Sequence, residues 1–225
     1  MFNQQSNVAI LIFANSSKKE AEQKFLGKGE RLFTYLNKKT VLEATKTKAQ
    51  VIIYNEKHQR GANFNERFTN ALEHTFSKGF QHVIAIGNDS PNLRASHIQK
   101  AITSVQNNQC VLGPSIDGGV YLIALSKKQF NKDTFLHLPW QTTNLFSCLK
   151  ETLEKENHHV CQLTYLKDID SEKDLTYFLN RFKTTAFLKK LIIEIVALFN
   201  ISYNKITSVY LYQYTSFLYN KGSPL

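Results

Sequence analysis

Residues 82–91 read H-V-I-A-I-G-N-D-S-P, a short aliphatic run that ends in polar residues and a turn. A continuous apolar run of this length is typical of a strand that helices cover on both faces. The Ser-Pro pair then turns the chain toward a helix predicted to begin near Ser96. In open α/β sheets, ligands bind beyond the carboxyl ends of the strands, which makes Asp89 a candidate site residue beside Gly87 and Asn88. The alternative is that Asp89 only caps a turn or a helix.

Comparable aliphatic runs recur along the chain and alternate with helical patterns. The predicted strands are Val8 to Phe13, Val51 to Tyr54, His82 to Ile86, Cys110 to Leu112, Val120 to Leu125 and Val160 to Leu163. The residues between them repeat apolar side chains at helical spacing, as in the stripe from Phe64 to Phe76. This alternation predicts an α/β fold with three layers and a mostly parallel sheet. The pattern leaves open whether Val120 to Leu125 runs antiparallel.

A second candidate segment, V-L-G-P-S-I-D-G-G-V-Y-L-I-A-L, places Asp117 between two strands and directly before Gly118 and Gly119. Paired glycines let a backbone approach a ligand closely or let the chain reverse tightly. A plain hairpin turn at Asp-Gly is the competing interpretation.

A third carboxylate cluster lies in D-I-D-S-E-K-D-L, where Asp168 and Asp170 are two residues apart in an extended segment. At that spacing both side chains point to the same side and can face one cation. Hard divalent cations in nucleotide chemistry are held by one or two carboxylates together with phosphate oxygens. Asp89 with Asp168 or Asp170 is therefore a candidate metal site. Asp170 or Ser171 is alternatively the cap of the following helix.

The composition favours a globular protein without a signal peptide or a membrane-spanning helix. The 225 residues are 42% hydrophobic and 20% charged, which is ordinary for one globular domain with an appendage. Three cysteines without C-x-x-C spacing predict reduced thiols, and the apolar run near the amino terminus is too short for a signal peptide. No stretch has the roughly 18 apolar residues of a membrane-spanning helix. We therefore expect a cytoplasmic protein.

The net charge of +10 raises the question of nucleic-acid binding. Half of that excess lies in residues 181–225, where six basic residues accompany one acid. The lysine-rich stretch from Lys18 to Lys48 also carries glutamates, which is more typical of a solvated helical face than of a phosphate groove. No aromatic and basic residues alternate as they do in a nucleic-acid groove, so we expect no nucleic-acid partner.

The carboxyl-terminal part differs in character from the rest. Apolar residues from Leu188 to Phe199 form a helical stripe, but Ile193, Val196 and Ala197 leave little of the opposite side polar. We predict one α/β domain at 1–183 and a basic, apolar extension at 184–225. Such an extension packs on its own domain, forms a homodimer contact or binds a membrane surface, and the third is least favoured.

Several segments in this order resemble a known family: Q-R-G-A-N-F-N-E-R-F-T-N-A, I-G-N-D-S-P-N-L, V-L-G-P-S-I-D-G-G-V-Y-L-I-A-L, L-P-W-Q-T and D-I-D-S-E-K-D-L. The family is that of GT-A type glycosyltransferase-like proteins associated with radical-SAM and selenodomain systems, some labelled arsenosugar-biosynthesis glycosyltransferases. It is similar to phospholactate guanylyltransferases and other GT-A nucleotidyltransferases. The resemblance covers about residues 7 to 180. It implies a GT-A fold, a nucleotide or nucleotide-sugar donor, a small-molecule acceptor, and Mg²⁺ or Mn²⁺.

The resemblance also implies roles for individual residues. Asp89 would contact metal and diphosphate, Asp168 and Asp170 would complete the metal site, and Trp140 would line the acceptor side. The segment around Asp117 would form the substrate loop, with Asp89 and Asp117 as the catalytic carboxylates. The implied nucleotide-binding and substrate-binding residues are Phe13, Ala14, Asn15, Lys18, Lys19, Arg67, Gly87, Asn88, Gly118, Gly119 and Trp140.

The chain departs from the family pattern after the first strand. Related proteins have a loop there that contains proline and glycine and ends in a Lys-Thr-Arg-Leu-like sequence. This chain reads I-F-A-N-S-S-K-K-E-A-E-Q-K-F-L, without glycine before Gly27, so its backbone amides approach a phosphate less closely. The leading hypothesis is metal-dependent glycosyl or nucleotidyl transfer. The alternative is a non-catalytic GT-A-fold binding or scaffold protein with a degenerate nucleotide loop.

Overall fold

The computed structural model describes residues 7–24, 29–181 and 185–197. It divides into two compact units, Met1–Asp170 and Ser171–Leu225. The first unit alternates strands and helices along most of its length. Its strands are β1 Val8–Phe13, β2 Gln50–Tyr54, β3 His82–Ile86, β4 Cys110–Pro114, β5 Val120–Ser126 and β6 Val160–Gln162. Its helices are α1 Ser17–Gln23, α2 Glu30–Thr45, α3 Phe64–Ser77, α4 Ala95–Gln106, α5 Lys132–His137 and α6 Leu145–Lys155.

The six strands form one sheet in the order β2-β1-β3-β5-β4-β6. β1 pairs in parallel with β2 and β3, and β4 pairs in parallel with β6. β5 is antiparallel to both of its neighbours, which answers the question that the sequence left open. The predicted α/β fold with a mostly parallel sheet is confirmed.

Two apolar clusters place helices on both faces of the sheet. One joins α3, α5 and α6 to side chains such as Leu11, Val83 and Ile123. The other joins α2 and α4 to the alternate side chains of the same strands, such as Ile10 and Ile84. Because successive strand residues face opposite sides, the continuous aliphatic runs feed both clusters. The three-layer prediction is therefore correct.

Two strands differ from their prediction. β2 is an edge strand, so Val51 and Ile52 are only half-buried and Ile53 is exposed, whereas the aliphatic run predicted cover on both faces. β6 ends at Gln162 rather than Leu163, since only three of its residues pair with β4. Sequence periodicity reports apolar content, and it does not report a strand's position in the sheet.

The second unit contains two helices in the described residues, α7 Glu172–Arg181 and α8 at 186–197. Ser171 precedes α7, and its N–H and hydroxyl both donate to Asp174, so Ser171 rather than Asp170 occupies the cap position. In α8 the predicted stripe is buried at Leu188, Leu191, Ile192 and Ile195. The stripe's remaining residues, Leu198 and Phe199, lie outside the described residues, as does most of the predicted extension. None of the helices in the described ranges is long and apolar enough to cross a bilayer.

Candidate functional site

A cavity of about 760 Å³ lies at the carboxyl ends of β1 and β3 and the start of β5. The parallel strands end at this edge, and the reversed β5 begins there, so loops from both directions meet around one space. Most of the predicted site residues line it: Phe13, Ala14, Asn15, Lys19, Arg67, Gly87, Asn88, Asp89, Asp117, Gly119, Trp140, Asp168 and Asp170. Lys18 and Gly118 are not among the lining residues. Sequence reasoning thus located the edge of the sheet and most of the residues there.

The centre of the acidic wall is a lysine that the sequence did not single out. The Nζ of Lys24 lies 2.7 Å from Asp89 Oδ2, 2.8 Å from Asp170 Oδ1 and 3.3 Å from Glu20 Oε1. It also donates to the carbonyl of Ile169 at 2.9 Å. The side chain is 12% exposed. Burial lowers the pKa of Lys24, but the three carboxylates outweigh burial and raise it well above its ordinary value, so the amine stays protonated.

Asp89 is not a helix cap. The following helix, α4, has Arg94 at its N-cap position, and Asp89 instead pairs with Lys24. The backbone carbonyl of Asp89 accepts the N–H of Ile169, which joins the loop after β3 to the segment that carries Asp168 and Asp170. Asp89 therefore does not cap a helix, and its carboxylate lies at the cavity, where it pairs with Lys24.

Asp168 is held by two serine hydroxyls. Ser90 Oγ donates to one of its oxygens and Ser115 Oγ donates to the other at 2.5 Å. Burial, together with the nearby Asp89, raises the pKa of Asp168 to about 7, although the hydrogen bonds from the two hydroxyls act in the opposite direction. Burial also raises the pKa of Asp170, which Lys24 opposes. The carboxyl of Asp168 therefore takes up a proton more readily than that of an ordinary aspartate.

The loop that contains Asp117 forms a hairpin turn and also reaches the cavity. It joins β4 to β5 as a hairpin, in which Ser115 N–H donates to Gly119 O and Gly118 N–H donates to Ser115 O. Asp117 Oδ1 accepts the N–H of Gly119 at 3.1 Å. The hairpin turn is real, and it also brings Asp117 and Gly119 to the cavity wall. Gly118 does not line the cavity, but the loop passes so close to Thr143 that a Cβ added at Gly118 would lie 1.9 Å from the carbonyl oxygen of Thr143.

The opposite wall of the cavity is aromatic. Phe64 stacks on Phe68 with ring centroids 5.9 Å apart, and Phe13 contacts both rings edge-on. Trp140 packs against Phe64 and Phe68, and its Nε1 donates to Phe135 O at 2.7 Å. The ring of Trp140 is thus a packed part of the core as well as a lining residue. Its packing role is established by these contacts, and its acceptor-side role stays a prediction.

Two cations face the cavity without a partner. Within the residues that the structure describes, neither the guanidinium of Arg67 nor the ammonium of Lys19 forms a hydrogen bond or ion pair with its side chain. Arg67 is half-buried and Lys19 is exposed. Because no protein acceptor in the described residues engages its guanidinium, Arg67 is available to bind an anion in the cavity.

The loop after β1, which contains no glycine, is held by side-chain hydrogen bonds. Ser16 caps α1, and its N–H donates to Glu56 Oε2 at 2.7 Å. Burial raises the pKa of Glu56, but its bonds with Ser16 outweigh this effect and lower it. Asn15 is also engaged, because its Nδ2 donates to Glu20 and Gln23. The amide of Ser16, at the start of α1, is therefore already bonded to a carboxylate.

The carboxylates of Asp89 and Asp170 are chemically suited to a divalent cation, although the ammonium of Lys24 lies between them. Oxygens of Asp89 and Asp170 lie within 2.8 Å of one nitrogen, and hard oxygen ligands are those that Mg²⁺ and Mn²⁺ prefer. Across the described ranges, however, no group of three or more His, Cys, Asp or Glu side chains is arranged to hold a metal ion. The predicted set of Asp89, Asp168 and Asp170 is therefore not assembled as a ligand cluster, because Lys24 neutralises two members and serines engage the third.

Sequence reasoning missed several polar residues of this site. Ser90 and Ser115 stand next to the strand ends inside segments already singled out, so their position was the available signal. Lys24 gave only the weak signal of a helical Glu20–Lys24 pair, since its other partner, Asp89, is 65 residues away. Glu56 likewise follows an edge strand without a motif.

Comparisons with solved structures agree with the fold. A protein from Desulfovibrio desulfuricans G20, whose name assigns it to the nucleotide-diphospho-sugar transferases, is 24% identical with a TM-score of 0.75. The match covers 86% of this chain and 96% of that one. At this identity the similarity shows only that the two chains share a fold.

Two further structures are more distant. The 4-diphosphocytidyl-2C-methyl-D-erythritol synthase of Anaerococcus prevotii DSM 20548 is 12% identical with a TM-score of 0.49, covering 88% of this chain and 100% of that one. The manganese complex of Rv0371C from Mycobacterium tuberculosis H37Rv is 11% identical with a TM-score of 0.45, covering 79% and 100%. These scores are too low to say anything about ligands of this chain.

The family is identified by sequence. No curated protein matches the chain. Residues 14–142, more than half of the chain, match the family described as an uncharacterized protein conserved in bacteria, DUF2064. That range runs from the loop after β1 to the segment that follows Trp140, so it contains most of the cavity wall. The chain belongs to the DUF2064 family.

Proposed function

We propose that this chain is a transferase that moves a glycosyl or nucleotidyl group from a nucleotide-sugar or nucleotide donor to a small-molecule acceptor, assisted by Mg²⁺ or Mn²⁺. The observation that carries this proposal is one cavity that combines carboxylates with unpaired cations. Asp89, Asp168 and Asp170 lie on its acidic wall, and Arg67 and Lys19 line it without side-chain partners in the described residues. Such a mixture suits a ligand that carries both phosphates and a cation.

The residues divide the work by chemistry. The guanidinium of Arg67 binds phosphate oxygens in a fixed two-pronged geometry, and Lys19 adds a mobile charge. Asp89 and Asp170 would hold the divalent cation, which when bound would neutralise the diphosphate leaving group. Asp117, at the hairpin loop, accepts a hydrogen bond from the acceptor and orients it against the donor. The space of about 760 Å³ is of the size that small-molecule sites have.

Calorimetry tests this proposal with the full-length chain. UDP-sugars, GDP-sugars and nucleoside triphosphates are titrated with and without Mn²⁺ into wild type and Asp89→Asn, which removes one charge and keeps the shape. We expect saturable binding that depends on the metal and that Asp89→Asn weakens strongly. The control is Asp133→Asn on α5, whose side chain is 89% exposed and does not line the cavity. Absence of binding for every ligand, or equal binding by both variants, contradicts the proposal.

A second function is favoured by one observation, the bond between Ser16 and Glu56. Since a carboxylate already occupies that amide, the loop after β1 is poorly suited to a backbone cradle for phosphates. The alternative is a non-catalytic protein of this fold that binds or scaffolds another molecule. It predicts no nucleotide binding in the same titrations, whereas the transferase predicts binding through side chains. The link to radical-SAM and selenodomain systems, the cytoplasmic location and a homodimer through residues 184–225 stay predictions.

A further inference from the structure

The surroundings of Lys24 have the form of a cation site. Four oxygens lie within 3.3 Å of its Nζ, from Asp89, Asp170, Glu20 and the carbonyl of Ile169. Three of them belong to carboxylates, and the side chain is 12% exposed. Oxygens from an α1 residue, from the loop after β3 and from the segment after β6 therefore converge on one positive charge. An ordinary surface ion pair has one partner and far more solvent.

The charge on this wall is not balanced by the lysine alone. One ammonium faces three carboxylates, and Asp168 lies in the electrostatic neighbourhood of Asp89 and Asp170. A divalent ion at the same position would neutralise more of this charge than an ammonium does. An ammonium and a divalent ion cannot share the oxygens of Asp89 and Asp170, because like charges at such distances repel strongly in a partly buried site. Occupation by one cation thus excludes the other.

Lys24 is placed so that it can leave. It is the C-cap residue of α1, a helix of seven residues, and its backbone N–H is satisfied by Glu20 O whatever the side chain does. Its four-carbon side chain is flexible and carries a single charge. Three of the four oxygens that hold it, those of Asp89, Ile169 and Asp170, belong to residues placed by other elements, so they remain in place when it withdraws.

We propose that Lys24 is a resident cation that Mg²⁺ or Mn²⁺ must displace in order to bind at Asp89 and Asp170. The protein without ligand therefore binds a free divalent ion weakly, although its carboxylates are suited to one. This inference deepens the metal-binding part of the proposed function and rests on it. Lys24 is a positioning residue that sets how readily the site takes up a free divalent ion.

The test measures binding of Mn²⁺ alone to the full-length protein, by the loss of the electron paramagnetic resonance signal of free Mn²⁺. Lys24→Met removes the ammonium and keeps most of the side-chain length. Lys100→Met is the matched control, because it removes one charge from an exposed position of α4 that does not line the cavity. We expect Lys24→Met to bind Mn²⁺ at least about tenfold more tightly than wild type, and Lys100→Met to bind within about threefold of wild type. Equal affinities for all three proteins overturn the proposal.

A second measurement uses wild type and does not depend on a variant that folds. Lysine acetylation by a water-soluble reagent, read by mass spectrometry of peptides, reports how accessible each amine is. We expect slow labelling of Lys24 without metal and faster labelling at Mn²⁺ concentrations that occupy the protein, with Lys19 unchanged. Mn²⁺ binding that leaves Lys24 protected overturns the proposal, and so does an absence of Mn²⁺ binding in wild type and in folded Lys24→Met or Lys24→Gln.

These outcomes are separable from those of the proposed function. No nucleotide is present in either measurement, so failure to bind nucleotides leaves the competition between Lys24 and Mn²⁺ intact. Conversely, nucleotide binding with a metal site elsewhere would support transfer and reject the role of Lys24.

Discussion

Replacing Gly118 by alanine, compared with the same change at Gly79, separates the cost of backbone strain from the cost of a steric collision. Gly118 has φ of +92°, a region that side chains rarely adopt, and an added Cβ would meet Thr143 O at 1.9 Å. Gly79 has a similar φ of +98° but no atom within 4 Å of an added Cβ. Gly79→Ala therefore measures the backbone strain alone, and Gly118→Ala adds the collision with a backbone carbonyl.

The expected magnitudes follow from these contacts. Strain at an unfavourable positive φ costs about 1–3 kcal/mol at either position. At Gly118 the loop must also move away from Thr143, which endangers the 2.9 Å bond from Phe146 N–H to Gly118 O, worth about 1 kcal/mol. We therefore expect Gly118→Ala to lose at least about 1 kcal/mol more of the free energy of unfolding than Gly79→Ala.

Urea unfolding followed by tryptophan fluorescence is a suitable assay. Trp140 is the single tryptophan of the sequence and lies in the cavity wall, so its signal reports on the unit that holds the site. Midpoints are compared at equal slope, because a changed slope indicates a changed unfolding transition. Equal losses for the two alanine variants would refute the reasoning, since they would mean that the approach of Thr143 imposes no constraint.

Three further predictions concern side chains of the site. Because folding raises the pKa of Asp168 from 3.8 to about 7, we expect the metal-free protein to lose stability as the pH rises from about 4 to about 7, by about 4 kcal/mol at most, and to change little above. Asp168→Asn should flatten this dependence in urea titrations at several pH values; an unchanged slope contradicts the burial of that carboxyl. Trp140→Phe should cost about 2 kcal/mol by circular dichroism, because it leaves the buried carbonyl of Phe135 without its 2.7 Å donor and opens a void; a neutral effect argues against that bond. Arg67→Met should weaken nucleotide binding about tenfold or more in calorimetry, while Arg60→Met, outside the cavity lining, should not; equal effects remove Arg67 from the site.

The sequence predicted the fold class because aliphatic runs and helical stripes are local signals. Runs such as Val8 to Phe13 are continuous since both faces are covered, and the structure places the strands accordingly. The order of the strands and the reversal of β5 are not local, so periodicity left them open. The edge position of β2 could not be predicted either, because aliphatic residues occur in edge and central strands alike.

Polar residues were predicted to lie at the edge of the sheet where they directly follow a strand, and they were missed where their contacts are distant in sequence. Asp89, Asp117, Asp168 and Asp170 stand at strand ends and line one cavity, as expected. Lys24 sits on a short helix whose sequence is an unremarkable run of charges, and only folding brings it to Asp89. The lysine-rich stretch predicted a solvated face, and Lys24 departs from this prediction by organising the acidic wall. Lys39 departs from it as well, because it is half-buried and donates to the carbonyl of Leu93.

The reversed strand β5 has a consequence for how the cavity is assembled in time. The hairpin of β4 and β5 pairs residues that are close in sequence, so closing it costs little chain entropy, whereas β1 must wait for β2 and β3 across intervening helices. We expect the loop with Asp117 to be in place early during folding. The contact of Lys24 with Asp89 and Asp170 spans up to 146 residues and closes late. The two halves of the site are therefore completed at different stages of folding.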